Sequence, residues 1–237
     1  MAASMILAIA VTLLAQGCRA AGPITRMPPP DFTPPWFCHS INCPPFTVEN
    51  DNVAADVELR RYAAGLWVAT NISDTSYDAA VGTGFKRLFD YISGDNEGSM
   101  KVDMTAPVRV RLTPGPGPFC KDDFTVAFYL PWTHQAGGKA APAPKDPKVF
   151  LQRSPEAAYY VLAYSGYTTQ SKVLDKANEL LAKLDAANAE YDASVIYSAG
   201  YDSPFRLINR HNEVWVPAGR PAQGLTRGIR GPLRLSC

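Results

Sequence analysis

Two stretches of the chain follow one plan, and this duplication restricts the fold more than any other feature. Residues 57–92 run from an apolar-alternating segment through a turn to a second such segment and then into an amphipathic helix. Residues 149–184 repeat that order at an offset of 92. Val57 falls on Val149, Leu59 on Leu151, Arg61 on Arg153, Trp67 on Tyr159, Val81 on Val173, Leu88 on Leu180 and Ile92 on Leu184. The weight rests on the shared switch from a period of 2 to a period of 3.6, which describes structure in a way that scattered identities do not. Each half then closes on a strand entered near a proline, Met104-Thr105-Ala106-Pro107-Val108 in the first and Tyr201-Asp202-Ser203-Pro204-Phe205 in the second. A period this long does not fit a solenoid. It predicts one pseudo-twofold α+β domain whose two sheets meet and whose two helices lie outside.

The lengths agree. With 237 residues, 46% hydrophobic and 19% charged, the chain can bury one sizeable core, and a net charge of +1 gives no bias toward nucleic acid. Residues 5–15 form an apolar run too short to span a bilayer, followed by small residues around Cys18-Arg19-Ala20-Ala21. That is the layout of a secretory signal over residues 1–20, although no Lys or Arg precedes the run. Its removal leaves Cys38, Cys43, Cys120 and Cys237, an even number for a compartment that permits disulfides. Three pairings exist. A local clip between Cys38 and Cys43 is favoured over zinc, because only His39 lies beside that pair. Asn71-Ile72-Ser73 is a glycosylation sequon that matters only after secretion.

Residues 21–47 carry prolines at 23, 28, 29, 30, 34, 35, 44 and 45, which deny helix and define an extended lead. Trp36, Phe37 and Phe46 are its expected anchors on the domain, which covers 48–217. Residues 134–147 read as a surface loop between the halves, and 218–237, with Arg220, Arg227, Arg230 and Arg234, as a basic flexible tail. The first helix should start near Thr75 or Ser76 and stop at Ser93-Gly94. Val81, Phe85, Leu88 and Ile92 form its stripe, flanked by Phe89 and Tyr91, a broader apolar arc than a core seam needs. The second helix spans about 171–184. Strands are expected at 57–62, 66–72, 102–112, 124–130, 148–153, 158–164, 195–200 and 205–216, the last broken by a turn at 209–212.

Catalytic constellations are not evident. Of the histidines His39, His134 and His211, two fall in segments expected to be irregular, and neither a phosphate loop nor a dinucleotide fingerprint occurs. Gly82-Thr83-Gly84 lies inside the helix pattern, where each glycine costs about 1 kcal/mol relative to Ala. Either a strand approaches closely there or a flat ligand needs room over the helix.

Several quoted pieces in order carry a family likeness. They are Leu59-Arg60-Arg61-Tyr62, Gly84-Phe85-Lys86-Arg87-Leu88-Phe89-Asp90-Tyr91-Ile92-Ser93-Gly94-Asp95-Asn96-Glu97, Lys101 to Val108 through Met104-Thr105-Ala106-Pro107, Ala199-Gly200-Tyr201-Asp202-Ser203-Pro204 and Asn212-Glu213-Val214-Trp215. Over residues 55–217 this series resembles the SOUL heme-binding protein family. The signal-like start, the Cys-x4-Cys lead and Gly117-Pro118-Phe119-Cys120 look most like its plant and algal branch.

The resemblance implies a distorted β-barrel of two pseudo-twofold halves, each with one helix, that binds heme or another tetrapyrrole without catalysis. It also implies a site: an apolar patch of Val81, Gly82, Phe85 and Phe89 facing Tyr201, Phe205, Arg206 and the 209–212 turn with Arg210 and His211. Aromatic faces would hold the ring while guanidinium groups pair its propionates. Some relatives place His before the Tyr of the first strand, where this chain has Arg61, so iron ligation by that route is closed. His211, Tyr201 and the cysteines are the remaining candidate ligands, and the family's looser, hydrophobic mode needs no protein–metal bond. The expectation is a secreted or lumenal carrier or buffer of tetrapyrrole, with chloroplast or vacuole as the alternative compartment. A module for another apolar ligand and a tetrapyrrole-modifying enzyme are the rival readings.

Overall fold

A computed structural model describes residues 28–49, 53–74, 76–113 and 122–219. The signal-like run, the start of the lead, Cys18, Cys120, Cys237 and the basic tail beyond residue 219 lie outside the described residues. Nine strands are described: β1 (Phe46–Glu49), β2 (Val57–Tyr62), β3 (Gly65–Asp74), β4 (Val108–Thr113), β5 (Asp122–Tyr129), β6 (Val149–Ser154), β7 (Ala157–Tyr164), β8 (Ile196–Gly200) and β9 (Asn212–Pro217). Helix α1 (Tyr77–Ile92) follows β3 and α2 (Gln170–Ala186) follows β7.

Pairing the strands recovers the duplication. The sheet order is β1-β2-β7-β9-β8-β4-β5-β3-β6, with every pair antiparallel. Exchanging β2 with β6, β3 with β7, β4 with β8 and β5 with β9 maps each pairing onto another and maps β4–β8 onto itself. The pseudo-twofold axis therefore crosses the β4–β8 pair, where Val110 lies opposite Ser198. The two expected sheets are one, because that central pair joins the halves. A twisted sheet of this width curls, and the result is an α+β distorted barrel. Only β1, added at one edge by the lead, falls outside the symmetry.

Alternation sorts the side chains by face. Val110 and Leu112 of β4, Phe124, Val126 and Phe128 of β5, Ile196 of β8, and Val214 and Val216 of β9 join the core beneath the helices. Their odd-even neighbours, among them Trp215, Tyr159, Ala199, Trp67, Ala127 and Tyr129, point to the other side and form two further buried clusters. Burying both faces requires cover on the side away from the helices, and the lead supplies part of it. Cys38 and Cys43 are bridged, and Phe37 is buried against Tyr201 with ring centroids 4.8 Å apart. Phe46 packs on Tyr62 at 5.1 Å, whereas Trp36, an expected anchor, is 66% exposed.

Two strand expectations are corrected. Residues 102–107 are not strand, because their backbone bonds run elsewhere: Val102 N–H to Ile92 O, Ala106 N–H to Asn42 O, and Pro107 has none to give. Residues 205–208 are not strand but join the expected turn at 209–212, so that 205–211 close as one turn. Arg206 N–H bonds Ser203 O, Asn209 has a φ of 51°, and Arg210 clamps the interior of the turn. Conversely, β1 lies where an unstructured lead was expected.

Candidate functional site

Helix α1 begins where a cap is available: Ser76 Oγ accepts from Ala79 N–H, and Asp78 stands in the first turn, matching the helix dipole. It lies across β3 and β5 and buries Tyr77, Ala80, Gly84, Leu88, Tyr91 and Ile92. Val81 and Phe85 sit at the rim of that contact, and Phe89 is 47% exposed. Phe85 stacks on Phe89 at 5.8 Å and 12°, and meets Phe128 edge-on at 5.3 Å. An aromatic shelf therefore extends from the core to the surface.

The two glycines answer differently. A Cβ on Gly84 would come within 2.5 Å of Val126 Cγ2, so this glycine admits the close approach of β5. A Cβ on Gly82 would meet nothing within 4 Å, so that position opens the outer surface beside Val81 and Phe85. In the other half, α2 places Val173, Ala177 and Leu181 at the positions of Val81, Phe85 and Phe89, with Val173 and Ala177 fully buried and Leu181 partly so. The repeat is thus broken at the shelf, where one helix sinks its stripe and the other leaves a stacked pair half in water.

Sheet register leads from the shelf to the β8–β9 turn. Val108 lies opposite both Phe128, under Phe85, and Gly200, which ends β8. The turn presents Phe205, 89% exposed, with Leu207 and Ile208 also exposed. It is held open from within: Arg210 Nη1 donates to Ser203 O at 2.7 Å and Arg206 O at 2.8 Å, and its guanidinium lies 4.6 Å from the Tyr167 ring centroid. Arg206 Nε donates to Ile208 O and Asn209 O and is 3.1 Å from Asp202. Arg206 is half-exposed, while Arg210 is buried and committed to backbone carbonyls.

Tyr201 and His211 turn away from the shelf, toward a centre the sequence reading did not identify. Glu213 is 0% exposed and accepts from four donors. Arg60 Nη1 (2.8 Å) and His211 Nε2 (2.7 Å) reach Oε1, and Tyr201 Oη (2.9 Å) and Trp215 Nε1 (2.7 Å) reach Oε2. Burial opposes its charge, yet the His211 bond and the Arg60 guanidinium outweigh it and hold the carboxyl below the usual range. The Tyr201 hydroxyl is pushed well above its usual value by burial and by the Glu213 charge. His211 stacks on Phe37 of the lead at 4.0 Å and 2°. Its Nε2 is engaged by Glu213 and one ring face lies on Phe37, so it links lead and barrel. Arg61, at the position where some relatives offer histidine, is exposed and paired with Glu49 at 2.5 Å.

The structure thus gathers Val81, Gly82, Phe85 and Phe89 on one surface, and leaves Phe205 and Arg206 exposed and half-exposed on the turn after β8. It assigns Tyr201, Arg210 and His211 to internal contacts. One sequence signal pointed at the missed centre: Glu213 is a lone charge beside apolar Val214, Trp215 and Val216 of β9, and Arg60 sits near Tyr62 on β2.

Known proteins place this arrangement. Over 159 residues the chain is 36% identical to heme-binding protein 2 of Homo sapiens, an alignment covering 67% of this chain and 76% of that protein. It is 27% identical over 179 residues to heme-binding protein 1 of Mus musculus, covering 75% and 93%. Among solved structures, the EcmrR C-terminal domain superposes with a TM-score of 0.52 at 10% identity, covering 70% of this chain and 98% of that one, which is a likeness of fold alone. The model of the SOUL heme-binding protein family matches residues 41–217, from within the Cys38–Cys43 loop of the lead through β9, and the chain belongs to that family.

Proposed function

We propose that this protein binds heme or a related tetrapyrrole on the surface formed by α1 and the 201–211 turn, and carries or buffers it without a catalytic step. One observation carries the reading: the stacked Phe85–Phe89 pair left half in water on α1, at positions that α2 fills with side chains turned into the core. A porphyrin is a broad apolar disc, and an aromatic shelf beside the open surface at Gly82 meets its face. Exposed Phe205 supplies a second apolar wall, and half-exposed Arg206 a guanidinium for a propionate. The ligands named for the human and mouse relatives agree with this use.

Ring contacts carry the affinity in this reading, because His211 Nε2 is engaged by Glu213 and Tyr201 is buried. The proposed setting is extracellular or lumenal, supported by the apolar run at residues 5–15 and the Cys38–Cys43 bridge. Among the described residues no helix is long and apolar enough to cross a membrane. Titration with hemin and with metal-free protoporphyrin IX, followed by absorbance and tryptophan quenching, should give similar affinities and an unchanged pigment spectrum on prolonged incubation. Hemin binding that far exceeds protoporphyrin binding and falls to its level in His211→Ala would replace ring contacts with iron ligation. Steady pigment turnover would make the protein an enzyme.

A further inference from the structure

The face of the sheet turned away from the helices holds a cavity of about 210 Å³ bordered by β4, β5, β6, β7 and β8. Arg109 and Arg111 enter it from alternate positions of β4, Gln152 and Ser154 from β6, and Tyr159 and Tyr197 from β7 and β8. Two arginines of one face thus share one small space, while Arg153, which borders it, lies opposite Leu66 in register and belongs to the helix-side face of the sheet. No carboxylate is paired with any of them among the described residues, whereas Arg60 and Arg61 have two each and Arg206 has one. Arg109 is 7% exposed, donates to Ser154 Oγ at 3.2 Å, and lies 3.8 Å from the Trp67 ring centroid and 5.3 Å from that of Tyr197. Ring faces offset part of the cost of burying a cation but bring no counter-charge. Burial pushes the Arg109 guanidinium below its usual value, and Arg111 adds repulsion.

We propose that this cavity is a second ligand site, for a compact polyanion bearing carboxylate or phosphate groups, separate from the α1 surface. Planar guanidinium forks match both oxyanions in bidentate geometry, and tyrosine hydroxyls at the wall add neutral donors. Size selects the class: drug-sized ligands occupy pockets of roughly 300–1,000 Å³, so this space excludes a tetrapyrrole and fits a small acid. The bound anion supplies negative charge beside two adjacent arginines that no carboxylate pairs among the described residues, which links occupancy to stability of the sheet's second face. The site stands independently of tetrapyrrole binding, since Arg109 and Arg111 alternate along β4 with the residues that face α1.

Calorimetric titration of the mature protein at low salt, with citrate in one arm and inorganic pyrophosphate in the other, tests the site. Saturable binding at one site is expected from at least one of them, and the stronger arm identifies carboxylate or phosphate as the preferred chemistry. Partly exposed Arg111 can change without loss of fold, checked by circular dichroism, so Arg111→Ala should bind at least about tenfold more weakly, and Arg153→Ala, on the other face of the sheet, should bind as the wild type does. Phe89→Asp should bind the anion as the wild type does, which separates this site from the tetrapyrrole surface. Absence of saturable binding in both arms, or binding unchanged in Arg111→Ala, alone or doubled with Arg153→Ala, overturns the proposal.

Discussion

At the scale of single residues, Glu213 concentrates the most electrostatic consequence. Four donors converge on a carboxylate with no solvent contact, so its removal leaves buried Arg60 with half-exposed Glu58 as its remaining carboxylate partner and takes the acceptor from Tyr201, Trp215 and His211. Glu213→Gln is expected to cost about 3–5 kcal/mol at pH 7 in urea denaturation. The sign of its pH dependence follows from a folded value below the unfolded one of about 4.3. The stabilisation is complete above about pH 4.3 and is lost as pH falls toward the folded value, so the gap between wild type and variant should narrow in acid. A gap that stays constant down to pH 3 would mean Glu213 is not the charged acceptor described. The glycines provide a second pair of outcomes. Gly84→Ala must displace Val126 and should destabilise by about 1–3 kcal/mol, while Gly82→Ala, in open space on a helix, should stabilise by about 0.5–1 kcal/mol. Equal melting shifts of the same sign would contradict the packing assigned to α1.

At the scale of elements, the lead is the part that depends on cross-linking. Cys38 and Cys43 close a loop only five residues long in sequence, and the segment they shape carries Phe37 onto His211 and Tyr201. Chain-entropy reasoning gives such a short loop about 2 kcal/mol. Cys43→Ser should therefore lose about that much in denaturant and make the lead protease-sensitive while β2 to β9 stay folded. Unchanged proteolysis would show that aromatic contacts alone hold it. The repeat was legible in sequence because each half repeats the same local periods, and α1 and α2 fall where capping residues Ser76 and Thr169 stand. The β8–β9 turn was legible at 209–212 but not over 205–208, since Phe205, Leu207 and Ile208 read as strand by composition. What breaks the strand is Arg210 bonding two carbonyls across the turn. Nor could local pattern pair Arg60 with Glu213, 153 residues apart, whose meeting depends on the β2–β7–β9 order. Phe85 and Phe89 were legible as an excess of apolar arc, but their stacking appears only with the helix docked.

At the scale of the whole molecule, the duplicated sheet offers two faces with different chemistry. One carries two helices, of which α1 leaves an aromatic shelf at the surface; the other is sealed in part by the lead around Glu213 and in part left open at Arg109 and Arg111. Pseudo-symmetry accounts for stability, and departures from it mark the proposed binding surfaces, because positions freed from packing are those that a ligand can cover. Arg206 is already shared with Asp202 and backbone carbonyls, so Arg206→Ala should weaken tetrapyrrole binding less than loss of the shelf does. The most direct test of the central claim is therefore protoporphyrin IX titration of Phe89→Asp beside wild type. Phe89 is 47% exposed, so the variant should melt within about 1 kcal/mol of wild type, yet bind the pigment at least about tenfold more weakly. A folded Phe89→Asp protein that binds protoporphyrin as tightly as wild type would place the ligand elsewhere and contradict the account.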